Sequence, residues 1–137
     1  MKYEGGCYCG NIRYAIDGEV AFKGQCCCRA CQYFSGGNPN VIVGVPEPMF
    51  SYTRGEPKQF TRSDLDNPVT RDFCPDCGTH LVTRSPAAAG IVIVKVGTLD
   101  DPSLYDKPDH VIWIGEKQAF HHIPEGAKTF PGFPSRD

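Results

Sequence analysis

The sequence predicts a small, mainly β protein of antiparallel character, and three observations carry that expectation. Short runs rich in β-branched and aromatic residues recur along the 137 residues. Fifteen glycines and twelve prolines punctuate them, as in a chain of many turns. Apolar residues at helical spacing are scarce. The length suits one domain, residues 1–137, with a core over about 5–120 and a tail over 124–137.

The elements follow in order. Residues 11–17 alternate, with Ile12, Tyr14 and Ile16 on one face. Residues 41–45, 49–53 and 58–62 are short candidate strands, divided by Pro46-Glu47-Pro48 and Gly55-Glu56-Pro57. Residues 69–73 lead into a cysteine pair and 80–84 lead away from it. Residues 91–96 and 111–114 are β-branched runs of buried-strand character. A helical turn or two is expected after Arg29, and a short helix near 101–105. From Pro124, with Pro131 and Pro134, the chain reads as extended coil.

Bulk composition excludes some classes. Hydrophobic residues are 40% and charged residues 22%, ordinary for a globular protein. A formal net charge of −2 offers no basic footprint, so no nucleic-acid partner is expected. The first residues lack the apolar run of a signal peptide. The longest strongly apolar stretches, 41–45 and 91–94, are too short to span a bilayer, so no membrane partner is expected. A cytoplasmic location is the expectation. In that reducing setting, clustered cysteines read as metal ligands rather than disulfides.

The eight cysteines fall into three clusters: Cys7-Tyr8-Cys9, Cys26-Cys27-Cys28-Arg29-Ala30-Cys31 and Cys74-Pro75-Asp76-Cys77. Cysteines one or two residues apart can aim two sulfurs at one ion, most naturally zinc. In Cys74-Pro75-Asp76-Cys77-Gly78, the glycine can take the positive φ that such a loop needs. In Cys7-Tyr8-Cys9 a flat strand would put both sulfurs on one face. Two such pairs close a four-sulfur site. In the middle cluster, Cys26, Cys28 and Cys31 can wrap three sulfurs around a second ion, with Cys27 pointing away by alternation. Alternatively, only Cys28 and Cys31 serve, paired with another cluster, and Cys26 and Cys27 are buried thiols. Spacing leaves both arrangements open.

The order of these motifs resembles the family of glutathione-dependent formaldehyde-activating enzymes, which includes centromere protein V-like domains. The resemblance rests on Gly6-Cys7-Tyr8-Cys9-Gly10-Asn11-Ile12-Arg13-Tyr14, on the middle cluster followed by Ser35-Gly36-Gly37, and on Phe73-Cys74-Pro75-Asp76-Cys77-Gly78-Thr79. Val96-Gly97-Thr98-Leu99-Asp100-Asp101-Pro102 and His110-Val111-Ile112-Trp113 complete it. It implies a zinc-containing β-tent fold, similar to methionine-R-sulfoxide reductases and a Rab-binding chaperone. It implies that Cys7, Cys9, Cys74 and Cys77 hold a structural zinc and that Cys26, Cys28 and Cys31 hold a second, functional zinc. Where the family has His inside the middle cluster, this chain has Cys27.

The function implied is that of a zinc-dependent carbon–sulfur lyase or synthase. It would resemble S-(hydroxymethyl)glutathione synthase and act on glutathione or another small thiol with an aldehyde. The alternative is a non-catalytic zinc module that recruits a partner. Methionine sulfoxide reduction would need a late nucleophilic cysteine, and none follows Cys77. Arg29 either pairs with a glutathione carboxylate, or bonds the thiolates or faces solvent. No general base stands out among His80, His110, His121 and His122. His110 reads as structural and His121-His122 as surface. Trp113 reads as core, and Ser35-Gly36-Gly37-Asn38-Pro39 as a loop beside the second site.

Overall fold

The computed structural model describes residues 2–134. Met1 lies outside the described residues, as do Ser135, Arg136 and Asp137 at the end of the coil expected from Pro124. In chain order the elements are β1 (Lys2–Gly6), β2 (Arg13–Asp17), β3 (Phe22–Cys26), α1 (Arg29–Ser35), β4 (Asn40–Pro46), β5 (Phe50–Arg54) and β6 (Lys58–Thr61). There follow β7 (Thr70–Phe73), β8 (His80–Arg84), β9 (Ile91–Lys95), β10 (His110–Ile112) and β11 (Lys128–Thr129). Strands β1, β2 and β5 form a small antiparallel sheet with β2 in the middle. The other eight form a large sheet ordered β11-β10-β3-β4-β9-β8-β7-β6. Pairing is antiparallel except at one edge, where β10 runs parallel to both β3 and β11. No helix of the described residues is long and apolar enough to cross a membrane.

The period of two divides the large sheet into two faces. Val43, Val45, Val82, Val92 and Val94 turn one way and bury against Tyr14 and Ile16 of the small sheet and Ile12 just before it. Each fully buried aliphatic or aromatic side chain stabilises the fold by about 1.5–3 kcal/mol. Register then dictates the opposite face. Cys26 is opposite Asn40, Ile42 opposite Lys95, Ile93 opposite Thr83, and Thr83 opposite Arg71. That second face, shielded by α1 and by residues 112–116, is the floor of a cavity of about 230 Å³.

The predicted strands all form, with ends moved by local geometry. The 91–96 run stops at Lys95, where Val96–Thr98 tightens into a 3₁₀ turn. The 111–114 run stops at Ile112 because Trp113 takes the left-handed conformation, φ 58°. Strands β1 and β3 were not expected. Lys-Tyr-Glu-Gly-Gly and Phe-Lys-Gly-Gln-Cys contain glycine and no β-branched residue, so only their pairing partners make them strands. The tail is docked rather than loose. Phe130 donates its N–H to the Val111 carbonyl (3.0 Å), and Trp113 donates to Gly132 (3.0 Å).

Candidate metal centres

Two turns bring the first four sulfurs together. Cys7 to Gly10 do not form the flat strand expected. The Gly10 N–H bonds the Cys7 carbonyl (3.1 Å), and Gly10 takes φ 81°, which only glycine adopts cheaply. The second turn repeats the device: the Gly78 N–H bonds the Cys74 carbonyl (2.9 Å), with Gly78 at φ 78°. Thr79 stitches the two turns together. Its hydroxyl accepts from the Tyr8 N–H (3.1 Å) and lies 3.2 Å from the Cys77 sulfur. Asn11 reaches across to Asp76 (3.0 Å).

Cys7, Cys9, Cys74 and Cys77 have their sulfurs within 4.8 Å of one another. The Cys7–Cys9 and Cys9–Cys74 separations are 3.5 and 3.8 Å. A tetrahedron with metal–sulfur bonds of about 2.3 Å has edges of about 3.8 Å, so the spacing fits a four-coordinate zinc. Hydrogen bonds from the Thr79 hydroxyl and backbone hold the Cys77 thiol down to about 6.

Cys26, Cys28 and Cys31 form a second group, also with sulfurs within 4.8 Å. Cys26 comes from the end of β3. Cys28 caps α1, its sulfur accepting the Cys31 N–H (3.3 Å), and Cys31 sits in the first turn of that helix. Asn40 donates to the Cys31 sulfur (3.6 Å), and Lys95 donates to Asn40 Oδ1 (2.9 Å). Hydrogen bonds from Cys26 and Cys28, helped by Asn40, hold Cys31 down to about 3. Cys26 is driven far up by Cys28 and Cys31. Three crowded sulfurs cannot all ionise alone; full deprotonation needs a cation. An all-thiolate donor set suits a soft or borderline ion such as zinc. Among the described residues, no fourth Cys, His, Asp or Glu joins this group. Cys27 is fully buried and stands outside it.

Other predicted residues land elsewhere. Arg29 is exposed, bonded to Gln32 and stacked 5.0 Å from the Tyr33 ring, and it does not line the cavity beside the three sulfurs. His121 is not on the surface. It is buried, with Nε2 2.7 Å from the Gly37 carbonyl and Nδ1 accepting the Gln118 N–H (3.0 Å); His122 is exposed. It ties the glycine loop after α1 to the segment that follows β10. His110 packs between the rings of Phe22 and Phe130. Trp113 is a cavity wall rather than core, its indole set edge-on to Phe133 (centroids 5.1 Å).

Sequence reasoning did not single out Phe34, Asn40, Arg71 or Lys95, which line the cavity with the three cysteines. One signal was available. Lys95 closes the run Ile91-Val92-Ile93-Val94, and a cation ending a buried strand marks a face that is not simply core.

The comparisons with known proteins agree with this architecture. The family model described as "Glutathione-dependent formaldehyde-activating enzyme" matches residues 2–116. A crystal structure of a Rhodobacter sphaeroides protein superimposes with a TM-score of 0.60 at 17% identity, covering 77% of this chain and 96% of that one. That likeness supports the fold. With the family pattern matched over most of its length, the chain belongs to the glutathione-dependent formaldehyde-activating enzyme family.

Proposed function

We propose that the protein joins the sulfur of glutathione, or of a similar small thiol, to formaldehyde, and that it also runs the reverse cleavage. The observation that carries this reading is the three-sulfur group of Cys26, Cys28 and Cys31, which has no fourth protein ligand among the described residues and borders a cavity. The step balances without any redox partner. The thiol loses its proton, a carbon–sulfur bond forms as the carbonyl π bond opens, and the carbonyl oxygen takes a proton to give the hydroxymethyl thioether.

Cys26, Cys28 and Cys31 would hold the functional zinc; Cys7, Cys9, Cys74 and Cys77 would hold the structural one. A zinc ion bound by three thiolates supplies Lewis acidity that favours the ionised form of an incoming thiol. The chain's own residues do the rest. Asn40 orients the Cys31 sulfur, and Lys95 orients Asn40. Ile42, Ile93, Trp113 and Phe133 exclude water from the reacting atoms. Cys28 accepts the Cys31 N–H at its sulfur and the Gln32 N–H at its carbonyl, which sets the start of α1 so that Cys28 and Cys31 face one point.

Cobalt substitution tests the reading. Glutathione added to the cobalt-loaded protein is expected to shift the sulfur-to-metal bands of one ion and leave the other unchanged. The zinc protein is expected to accelerate S-hydroxymethylglutathione formation. One ion per chain, or bands that ignore every thiol, would favour a partner-recruiting zinc module instead.

A further inference from the structure

Among the described residues, no carboxylate pairs with the two cations that line the cavity. Arg71 on β7 and Lys95 on β9 both line it. Neither forms an ion pair with Asp or Glu among the described residues. Lys95 is bonded to the neutral Asn40, and the Arg71 guanidinium carbon sits over the Phe34 ring, 4.2 Å from its centre. Thr83, directly opposite Arg71 on β8, adds a hydroxyl to the same row. The acid on the cavity wall, Glu116, spends an oxygen on the Arg29 N–H (2.8 Å).

Apart from the cysteines, Asn40 and Ser85, the remaining walls are apolar. A buried cation is stable when something negative answers it. The three sulfurs lie on the same floor and can answer part of this charge. Sulfur is a poor match for the guanidinium fork, however. Five N–H donors in one plane suit two hard, coplanar oxygens. In strand order the floor therefore offers a thiolate-rich end at β3, then Asn40, Lys95, Thr83 and Arg71. A ligand that used all of it would carry sulfur at one end and a carboxylate at the other.

We infer that Arg71, flanked by Lys95 and Thr83, is a carboxylate seat that restricts this cavity to acidic thiols and their hydroxymethyl adducts. The inference rests on the thiol site proposed above and adds its substrate class. Glutathione qualifies through its carboxylates; neutral thiols do not. Arg29, exposed and outside the cavity, has no part in this selection.

The test uses the full, zinc-replete chain and a matched pair of probes, 3-mercaptopropionate and 3-mercaptopropan-1-ol. Binding is read by calorimetry and by the fluorescence of Trp113, which is the chain's one tryptophan and lines the cavity. The acid is expected to bind at least about tenfold more tightly than the alcohol, the scale of a charge-assisted hydrogen-bonded pair. Arg71→Met is expected to bring that ratio close to one while alcohol affinity and zinc content hold. Arg71→Lys, which keeps the charge and loses the fork, is expected to fall between, and it carries the test if Arg71→Met fails to fold.

Equal affinity of the wild type for both probes overturns the inference. So does an acid preference that survives in a folded Arg71→Met. Acid preference without any reaction with formaldehyde leaves the carboxylate seat standing and removes the proposed function. Failure of the wild type to bind either thiol overturns both.

Discussion

Removing the Asp72 carboxylate should cost a large part of the protein's stability, because three separate elements lean on it. Asp72 is only 1% exposed. It accepts the Tyr52 hydroxyl (2.7 Å) from β5, the Gln59 amide (3.0 Å) from β6, and the Arg84 guanidinium (2.8 Å) from β8. Burial, then the bond to Asp72, pushes the Tyr52 phenol well above its usual range, so Tyr52 remains a donor. Asp72→Ala leaves a partly buried hydroxyl, the amide of the exposed Gln59 and a half-buried guanidinium without this acceptor. Breaking a buried charged pair costs about 3–5 kcal/mol. The partial exposure of Arg84, 32%, lets water recover some of its share and argues for the lower end.

At about 3–5 °C per kcal/mol for a chain of this length, the melting temperature should fall by about 10–15 °C. Tyr52→Phe alone removes one donor and should cost about 1 kcal/mol. Urea unfolding in excess zinc measures both, with the m value expected unchanged. A loss below about 1 kcal/mol for Asp72→Ala would show that these donors find water or new partners, and would refute the account.

Cys74→Ser should prevent folding or lower metal content to a residual level, since a structural zinc contributes about 10–16 kcal/mol of apparent binding energy that is also folding energy. Cys31→Ser should leave circular dichroism native, halve the zinc measured per chain and abolish the thiol response. Equal effects of the two variants would contradict the division into a structural and a functional centre. His80 has a buried Nδ1 with no hydrogen-bond partner among the described residues and sits between the rings of Phe34 and Phe73. Burial first, then Lys95 and Arg71, lower its pKa. The unfolded chain therefore takes the proton first as pH falls. His80's contribution is full above the ordinary histidine pKa of about 6.5 and declines as pH drops below it. His80→Phe at equal zinc content should flatten the fall in melting temperature between about pH 7 and 5, and an unchanged slope would rule this out.

Much of the architecture was legible before any tertiary information. Ile12, Tyr14 and Ile16 read as one buried face and are one. The Cys74–Gly78 loop announced its positive φ, and it has it. Cys7–Cys9 misled, because residues one apart share a face both in a strand and in a tight turn, and Gly10 selects the turn. His121 looked like surface because the Gly37 carbonyl it meets is 84 residues away in sequence. Trp113 looked like core because an aromatic next to a β-branched run usually is. The left-handed backbone at Trp113 ends the strand there, and the indole becomes a wall of the cavity.

Residue types and their spacing were enough, unaided, to establish a β-rich chain built around clustered thiols. Those properties are local: alternation, turn residues and cysteines a few positions apart express themselves within one strand or loop. The meeting of Cys7 with Cys74, and of Arg71 with Lys95 beside Cys31, belongs to tertiary structure alone. Strand order and register decide which side chains share a face across a sheet, and a shift of one residue would turn Arg71 and Lys95 into the core and close the cavity to charge.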